Sequence, residues 1–187
     1  MTKTAGSIQV NDVDDGKSEE FRRVFLDNYD YVWSSLRRLG VHTRDLEDVT
    51  HDVFVEVHSK LGSYDRARPI RPWLFAFALR FASDYRKLAR HKTELRGHAD
   101  GATELPSAED AVAMQERARL LRAALNELSL ELRAVIVLYE IDETPMKDIT
   151  EALGIPLHTG YSRLRLARTQ CAEAVKRMMA RSGDRPR

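Results

Sequence analysis

The chain has 187 residues, of which 43% are hydrophobic and 32% charged, a balance that is typical of globular proteins and excludes a disordered chain. This length allows one large domain or two small ones. The formal net charge is only +1 and indicates no partner by itself. Acidic residues concentrate in positions 1–20 and 45–56, and basic residues in 80–96 and 163–187, which indicates separate surfaces for separate partners.

Cysteine content and hydropathy bear on the compartment. Cys171 is the single cysteine, so no internal disulfide can form, and a reducing environment fits. The N-terminus lacks the apolar core of a signal peptide, and the longest apolar runs are too short to span a bilayer. We therefore expect a cytoplasmic protein with no membrane insertion.

Helical periodicity dominates the first half, and no alternating strand pattern appears, so we predict an all-α fold. The apolar stripes predict helices near residues 19–39, 45–61 and 72–92. Gly40 is the expected end of the first helix. Thr43 or Asp45 can cap the second, and Pro72 suits the first turn of the third.

The second half begins after a polar, aperiodic stretch, which we interpret as a linker. Ser107 opens a sequence similar to a capping box, Ser129 can cap a further helix, and Gly154 is an expected helix end. The last helix should run over about 157–180. Its predicted buried stripe is Leu157, Tyr161, Leu164, Ala167, Cys171, Val175 and Met178.

The expected layout is two small helical domains joined by a flexible linker. Its parts are an acidic flexible N-terminus at 1–18, a first domain at 19–92, a linker at 93–107, a second domain at 108–181 and a basic tail at 182–187.

The stretch 144–168 has the form of a helix-turn-helix, whose second helix can enter the major groove of DNA. His158, Thr159, Ser162 and Arg163 lie off the predicted apolar stripe and could reach base edges. Arg165 and Arg168 lie further along and suit phosphates. An amphipathic helix in an ordinary bundle gives the same pattern, so the pattern alone leaves both interpretations open.

The acidic helix carries Asp45, Glu47, Asp48, Asp52 and Glu56. Asp48 precedes His51 by three residues, a spacing found in di-metal bundles, but such a site needs a second motif of this kind. None of the other five histidines has Asp or Glu three residues before it. We therefore expect no metal or other cofactor, and interpret this helix as either a solvated face or a docking face for a basic partner.

Aromatic and basic residues alternate along the third helix. Phe77 and Phe81 are predicted to pack in the core, whereas Tyr64, Phe75 or Trp73 should be partly exposed. Arg80, Arg86, Lys87 and Arg90 could then contact phosphates beside aromatic side chains that suit unstacked bases. No phosphate loop, nucleophile elbow or Cys/His metal spacing appears, so no catalytic residue is predicted.

These segments resemble the extracytoplasmic-function (ECF) sigma factors. The acidic helix is similar to the Asp-Ala-Glu-Asp-Leu-Val-Gln-Glu-Val-Phe motif of their region 2, and reads Asp45-Leu46-Glu47-Asp48-Val49-Thr50-His51-Asp52-Val53-Phe54. The stretch from Trp73-Leu74 to Asp84-Tyr85-Arg86-Lys87 resembles the helix that follows it. Gly154-Ile155-Pro156-Leu157, with Thr159, Ser162-Arg163-Leu164 and Ala167-Arg168, resembles the region 4 helix-turn-helix. The resemblance covers about residues 19–180.

The resemblance implies a bacterial transcription initiation factor that is not an enzyme. Its implied partners are core RNA polymerase, through the β′ clamp helices and the β flap, and promoter DNA. It allows an anti-sigma factor as a further partner, although no residue in the sequence points to one.

The resemblance also implies three groups of binding residues. The polymerase-binding residues would be Asp45, Glu47, Asp48, His51 and Asp52. The −10 element would be captured by loop 62–71 and by Tyr64, Trp73, Arg80, Asp84, Arg86, Lys87 and Arg90. The −35 element would be read by His158, Thr159, Ser162 and Arg163, with Arg165 and Arg168 on phosphates.

Four positions depart from the family's usual residues. His51 replaces Gln and Thr50 an aliphatic residue, so we expect locally altered polymerase contacts. Arg80 replaces Asn, which affects the expected −10 preference. Gly160 replaces Val, and since glycine weakens a helix by about 1 kcal/mol, we expect region 4 to be locally weak and Gly160→Val to raise its melting temperature.

Two other classes stay open at this point. A helix-turn-helix regulator with an N-terminal helical ligand- or partner-binding domain would bind its operator without polymerase, commonly as a dimer. A helical metalloenzyme would require bound metal.

Overall fold

The computed structural model describes residues 11–96 and 109–183, with side chains described for 17–88 and 117–180. Within these ranges every regular element is helical, which confirms the all-α prediction. The helices are α1 Asn11–Leu39, α2 Leu46–Lys60, α3 Ile70–Arg96, α4 Glu109–Glu127, α5 Leu130–Ile136, α6 Met146–Leu153 and α7 Leu157–Gly183. Short 3₁₀ turns flank α2 at Thr43–Asp45 and Leu61–Ser63, and a π-helical turn, Val137–Ile141, follows α5.

Several predicted boundaries differ from the structure. Helix α1 begins eight residues earlier than expected, α3 begins two residues before Pro72, and α3 continues through 93–96 into the predicted linker. The rest of that linker, with the capping sequence at Ser107, lies outside the described residues, as do positions 1–10 and 184–187.

Three predicted helix boundaries, at Gly40, Ser129 and Gly154, are observed. The predicted cap at Asp45 is not. Gly40 and Gly154 follow α1 and α6 with φ values of +96° and +63°, the left-handed region that favours glycine. The Ser129 hydroxyl accepts a hydrogen bond from the Leu132 N–H at 3.5 Å and caps α5. Asp45 makes no side-chain cap to α2, because its carboxylate is bonded to Tyr85 instead.

Helices α1, α2 and α3 pack around a common apolar core. Leu74, Phe75, Ala78 and Ala82 share one fully buried face of α3, which corrects the expectation that Phe75 might be partly exposed. Phe77 and Phe81, predicted to be core, are only half-buried. They flank that face, and the guanidinium of Arg80 lies over both rings.

The inner face of α7 also differs from the prediction. Gly160, Leu164, Ala167 and Ala174 are buried, whereas the two residues expected to begin the apolar stripe, Leu157 and Tyr161, are 51% and 54% exposed. The cause is the close crossing of α6. A Cβ placed on Gly160 would lie 2.6 Å from Thr150 Cγ2 and 2.7 Å from Met146 Sδ, so the face centred on Gly160 is turned inward.

The two halves of the chain pack against each other and share one cluster of buried residues. Arg133 of α5 is 1% exposed, and its Nη1 donates to the Leu39 carbonyl at the end of α1 at 3.0 Å. Burial, with the nearby charge of Arg86, lowers the pKa of Arg133 to about 10. The Tyr31 hydroxyl of α1 donates to Asp142, just after the π-helical turn. This contact between the halves was not predicted from the sequence.

Candidate functional site

An acidic surface covers the outer face of α2. Glu47, Asp48, His51 and Asp52 are exposed, because Leu46, Thr50, Val53, Phe54 and Val57 turn the opposite face into the core. Helical spacing of three and four residues places the four side chains side by side. None of the three carboxylates in this acidic face pairs with a cation in the described part of the chain, so their charge is available to a partner.

Asp45, the fifth predicted polymerase contact, has a different environment. Its carboxylate accepts a hydrogen bond from the Tyr85 hydroxyl at 2.6 Å, and Arg44 Nε lies 3.5 Å away. Burial raises the pKa of Tyr85, and the bond to Asp45 raises it further. Asp45 therefore joins the start of α2 to α3.

Thr50 lies on the buried side of α2. Its side chain is 0% exposed, and its hydroxyl has no hydrogen-bond partner within the described residues. The expectation that Thr50 alters a partner contact is therefore wrong for this position, since the replacement of an aliphatic residue affects the core.

An aromatic and cationic strip begins at Tyr64, in the loop before α3, and continues along α3 to Arg80. The ring centroids of Tyr64 and Trp73 are 4.8 Å apart, as are those of Trp73 and Phe77, and the Arg80 guanidinium continues the row at 5.8 Å from Phe77. Tyr64 and Trp73 are partly exposed, as predicted. Glu56 of α2 holds Arg80 through an ion pair at 3.2 Å. Rings and a guanidinium in a row can stack on unpaired bases.

The remaining candidates of α3 lie towards its C-terminal end. Asp84 and Lys87 are exposed and pair with each other at 3.0 Å. Arg86 is half-buried and faces α5, where its charge contributes to lowering the pKa of Glu131 and of Arg133. The side chain of Arg90 lies outside the described residues.

A groove of about 470 Å³ separates α3 from the second half of the chain. Its α3 wall includes Arg80, Asp84 and Lys87, and its opposite wall includes Glu131, Ile155 and Arg163. Candidate residues for two different DNA elements therefore line one groove in this conformation.

The candidate residues of α7 differ in exposure. His158, Ser162 and Arg165 are exposed, and no acidic residue occurs in 157–172. Thr159 and Arg163 are half-buried. The charge of Arg163 contributes to lowering the pKa of Glu131, after the effects of the Glu131 backbone N–H and Ser129.

Arg168 has internal contacts. Its Nη2 lies 2.6 Å from Glu140 Oε1, and its guanidinium lies 5.5 Å from the centroid of the Tyr139 ring. This residue therefore fixes α7 to the π-helical turn.

Three exposed apolar residues in the first half of α7 are absent from the predicted site residues: Leu157, Tyr161 and Leu166 are 51%, 54% and 48% exposed. Tyr161 was assigned to the core because its apolar ring fitted the predicted stripe. The signal that could have revealed it was Gly160, since a glycine inside a helix can mark a close crossing.

The described residues form neither a metal-ligand cluster nor a membrane-spanning helix. No group of three or more His, Cys, Asp or Glu side chains there could hold a metal ion. None of the helices described is both long and apolar enough to cross a membrane.

Comparison with known proteins agrees with this arrangement. Residues 24–92 match the family model for sigma-70 region 2, and residues 118–171 match that for sigma-70, region 4. The first match contains the acidic face and the aromatic strip, and the second contains α5, α6 and the first half of α7.

The chain is 30% identical over 148 residues to the ECF RNA polymerase sigma factor SigL of Mycobacterium tuberculosis, an alignment that covers 78% of this chain and 83% of SigL. It is 23% identical over 181 residues to SigW of Bacillus subtilis, covering 91% of this chain and 95% of SigW. The fold resembles that of the sigma factor RpoE of Bartonella quintana, solved with the anti-sigma factor NepR. The TM-score is 0.68 at 22% identity, over 84% of this chain and 98% of RpoE.

The chain belongs to the ECF RNA polymerase sigma factors of the sigma-70 family. Sigma factors are transcription initiation factors, which associate with core RNA polymerase and bind promoter DNA.

Proposed function

We propose that this sigma factor binds core RNA polymerase through the acidic face of α2 and directs it to promoters by recognising a −10 and a −35 element. The observation that carries the proposal is the set Glu47, Asp48, His51 and Asp52, exposed together on one helix face. Like charges held side by side repel one another, so a basic partner surface relieves an unfavourable arrangement. The polymerase β′ clamp helices are the partner that the family resemblance implies, with the β flap as the contact of region 4.

The strip on α3 is the proposed −10 surface. Stacking on aromatic rings stabilises unpaired bases by about 1–3 kcal/mol each, and extruding a base costs a few kcal/mol. Tyr64, Trp73 and Arg80 form the stacking row, and Lys87 and Arg90 are proposed phosphate contacts. Asp84 pairs with Lys87 and is proposed to position it, while Arg86 must turn away from α5 to contact DNA.

Helix α7 is the proposed −35 surface. His158, Ser162 and Arg165 are exposed and can enter a major groove as the helix docks. Thr159 lies at the edge of that face. Arg163 and Arg168 are held near Glu131 and Glu140, so we propose that they contact phosphates only after these acidic neighbours are released.

The two DNA surfaces cannot both bind one promoter while the two halves of the chain pack against each other. The −10 and −35 elements are about 25 base pairs apart, which at about 3.4 Å per base pair is roughly 85 Å. Arg80 and Arg163 line the same groove of about 470 Å³. We therefore propose that the two halves separate when the protein binds polymerase and promoter.

Two expectations rest on the same proposal. Binding to core polymerase implies a cytoplasmic location. An anti-sigma factor stays a prediction, since NepR is a partner of the RpoE of Bartonella quintana.

A reversed charge on the acidic face tests the proposal. Asp48→Arg should abolish capture of the full-length protein by bacterial core polymerase, because it places a cation against a basic surface. Glu173→Arg makes the same change on the exposed C-terminal half of α7 and should leave capture intact. Unchanged capture of the Asp48→Arg protein would refute the assignment of α2 as the docking face.

A further inference from the structure

Three apolar side chains are exposed on the first turns of α7. Leu157 is 51%, Tyr161 54% and Leu166 48% exposed. The inner face of the helix is occupied by Gly160, Leu164 and Ala167, so Leu157 and Tyr161 cannot turn inward without displacing the contact of Gly160 with α6. Leu157 and Tyr161 are four residues apart and share one side of the helix, whereas Leu166 lies about 140° around the helix from Tyr161.

The surroundings of this apolar group favour nucleic acid as its partner. His158, Ser162 and Arg165 are exposed between the apolar side chains. Residues 157–172 contain three arginines and no Asp or Glu. Arg168 pairs with Glu140 and Arg163 lines the groove opposite α3, so the exposed Arg165 supplies the cation of this surface. A cation attracts the phosphate backbone, and a mixture of apolar, hydroxyl and cationic side chains matches the groups that line a major groove.

The chemistry of the major groove specifies what an apolar side chain can recognise there. The C5-methyl group of thymine is the apolar group that base pairs present in this groove. Leu157 and Tyr161 are one helical turn apart, a rise of about 6 Å, which is comparable to the separation of base pairs one or two steps apart. Arg163, by contrast, lines the groove opposite α3.

We propose that Tyr161, with Leu157 beside it, is a specificity-determining residue that contacts thymine methyl groups in the −35 element. This inference rests on the proposed function of α7 as the −35 reader. It assigns a contact to a residue that the sequence pattern had placed in the core, and it makes Ser162 and Arg165, rather than Arg163, the adjacent polar contacts.

The test replaces thymine by deoxyuridine, which lacks only the C5-methyl group. First, full-length protein with core polymerase selects the duplexes that it binds from promoters randomised across the −35 element. Each thymine of the selected −35 sequence is then replaced, one at a time, by deoxyuridine. Wild-type holoenzyme should bind at least one substituted duplex about four-fold more weakly, the effect of burying one methyl group. Holoenzyme with Tyr161→Ala should bind the thymine and deoxyuridine forms of that duplex equally.

Two matched variants serve as controls. Tyr161→Phe keeps the ring and should keep the sensitivity to the methyl group. Met179→Ala removes another exposed apolar side chain from α7, 59% exposed in the wild type, and should behave as wild type. Circular dichroism establishes that each variant is folded.

The possible outcomes distinguish a wrong assignment of Tyr161 from a wrong assignment of α7 as the −35 reader. If wild-type holoenzyme selects a −35 sequence but the Tyr161→Ala holoenzyme keeps the full sensitivity to deoxyuridine, or if no thymine is selected, the contact assigned to Tyr161 is wrong and −35 recognition stands. If wild-type holoenzyme selects no −35 sequence, the proposed function of α7 fails as well.

Discussion

The hydroxyl of Tyr31 donates a hydrogen bond to Asp142 Oδ2 at 3.0 Å, across 111 positions of sequence. Arg38 Nη1 lies 3.2 Å from the other carboxylate oxygen, and the Asp142 side chain is 9% exposed. Burial raises the pKa of Asp142, while Tyr31 and Arg38 act against this rise. Since Tyr31 and Arg38 belong to α1 and Asp142 follows the π-helical turn, this cluster holds the two halves of the chain together.

Tyr31→Phe should weaken the contact between the halves. The change removes one hydrogen bond to a charged group, a loss of about 1.5–3 kcal/mol in the free energy of unfolding. Urea unfolding of the full chain measures this loss. Tyr161→Phe, which removes a hydroxyl from an exposed side chain, should change stability by less than about 0.5 kcal/mol, and equal stabilities of the two variants would contradict the structural role of the Tyr31 bond.

The pH dependence of stability should report on Asp142. Burial raises the pKa of Asp142 above the usual 3.8. Just above pH 3.8, the folded state therefore still holds a proton that the unfolded state has already released. The stabilising effect of this carboxyl is therefore full below pH 3.8 and is lost as the pH rises through the folded pKa. The free energy of unfolding of the wild type, minus that of Asp142→Asn, should fall over this window.

Urea unfolding of both proteins from about pH 3.5 to 6 measures this difference, in which other titrating groups largely cancel. A difference that rises with pH would show that the bonds from Tyr31 and Arg38 outweigh the effect of burial.

Gly160→Val should lower stability, contrary to the expectation from sequence. A Cβ at this position would lie under 3 Å from both Thr150 Cγ2 and Met146 Sδ. Overpacking of this kind typically costs about 1–3 kcal/mol, which exceeds the gain of about 1 kcal/mol from removing a helical glycine. Thermal unfolding measures the effect.

Two variants test whether the close contact causes that loss. Gly62→Ala adds a Cβ where no atom lies within 4 Å and should have little effect. Gly160→Ala should also lower stability, because it adds the same Cβ. In that variant, Thr150→Ser removes the methyl group nearest to the added Cβ and should recover part of the stability that Gly160→Ala loses. A higher melting temperature for Gly160→Val would restore the original hypothesis of a locally weak region 4.

Thr50→Val should raise stability. The Thr50 hydroxyl is buried without a hydrogen-bond partner in the described residues, and an unsatisfied buried polar group costs about 1–3 kcal/mol. Valine has nearly the same shape, so chemical unfolding should show a gain of about 1 kcal/mol. Thr169→Val makes the same change on the exposed face of α7 and should bring no gain in stability. A loss of stability in Thr50→Val would indicate that the Thr50 hydroxyl has a hydrogen-bond partner.

Local patterns predicted the helices and several of their ends. Gly40, Ser129 and Gly154 act through their own backbone or their near neighbours, so the sequence is sufficient to identify them. The acidic face of α2 was also predictable, because helical spacing alone determines which of its residues are neighbours.

Contacts between distant segments were not predictable in this way. The apolar character of Tyr161 was visible, but its outward direction depends on Met146 and Thr150 approaching Gly160. Similarly, Asp45 looks like a helix cap until α3 brings the Tyr85 hydroxyl to its carboxylate. Both of these errors arise from a contact between two helices.

Run-off transcription tests the central claim most directly. Full-length protein is combined with bacterial core polymerase on a library of promoters with varied −10 and −35 elements, with Asp48→Arg as the matched control. We predict transcripts from a defined subset of promoters that share both elements, and none with the Asp48→Arg protein. Tight, selective promoter binding by the protein without polymerase, together with no promoter-specific transcripts in its presence, would contradict the account.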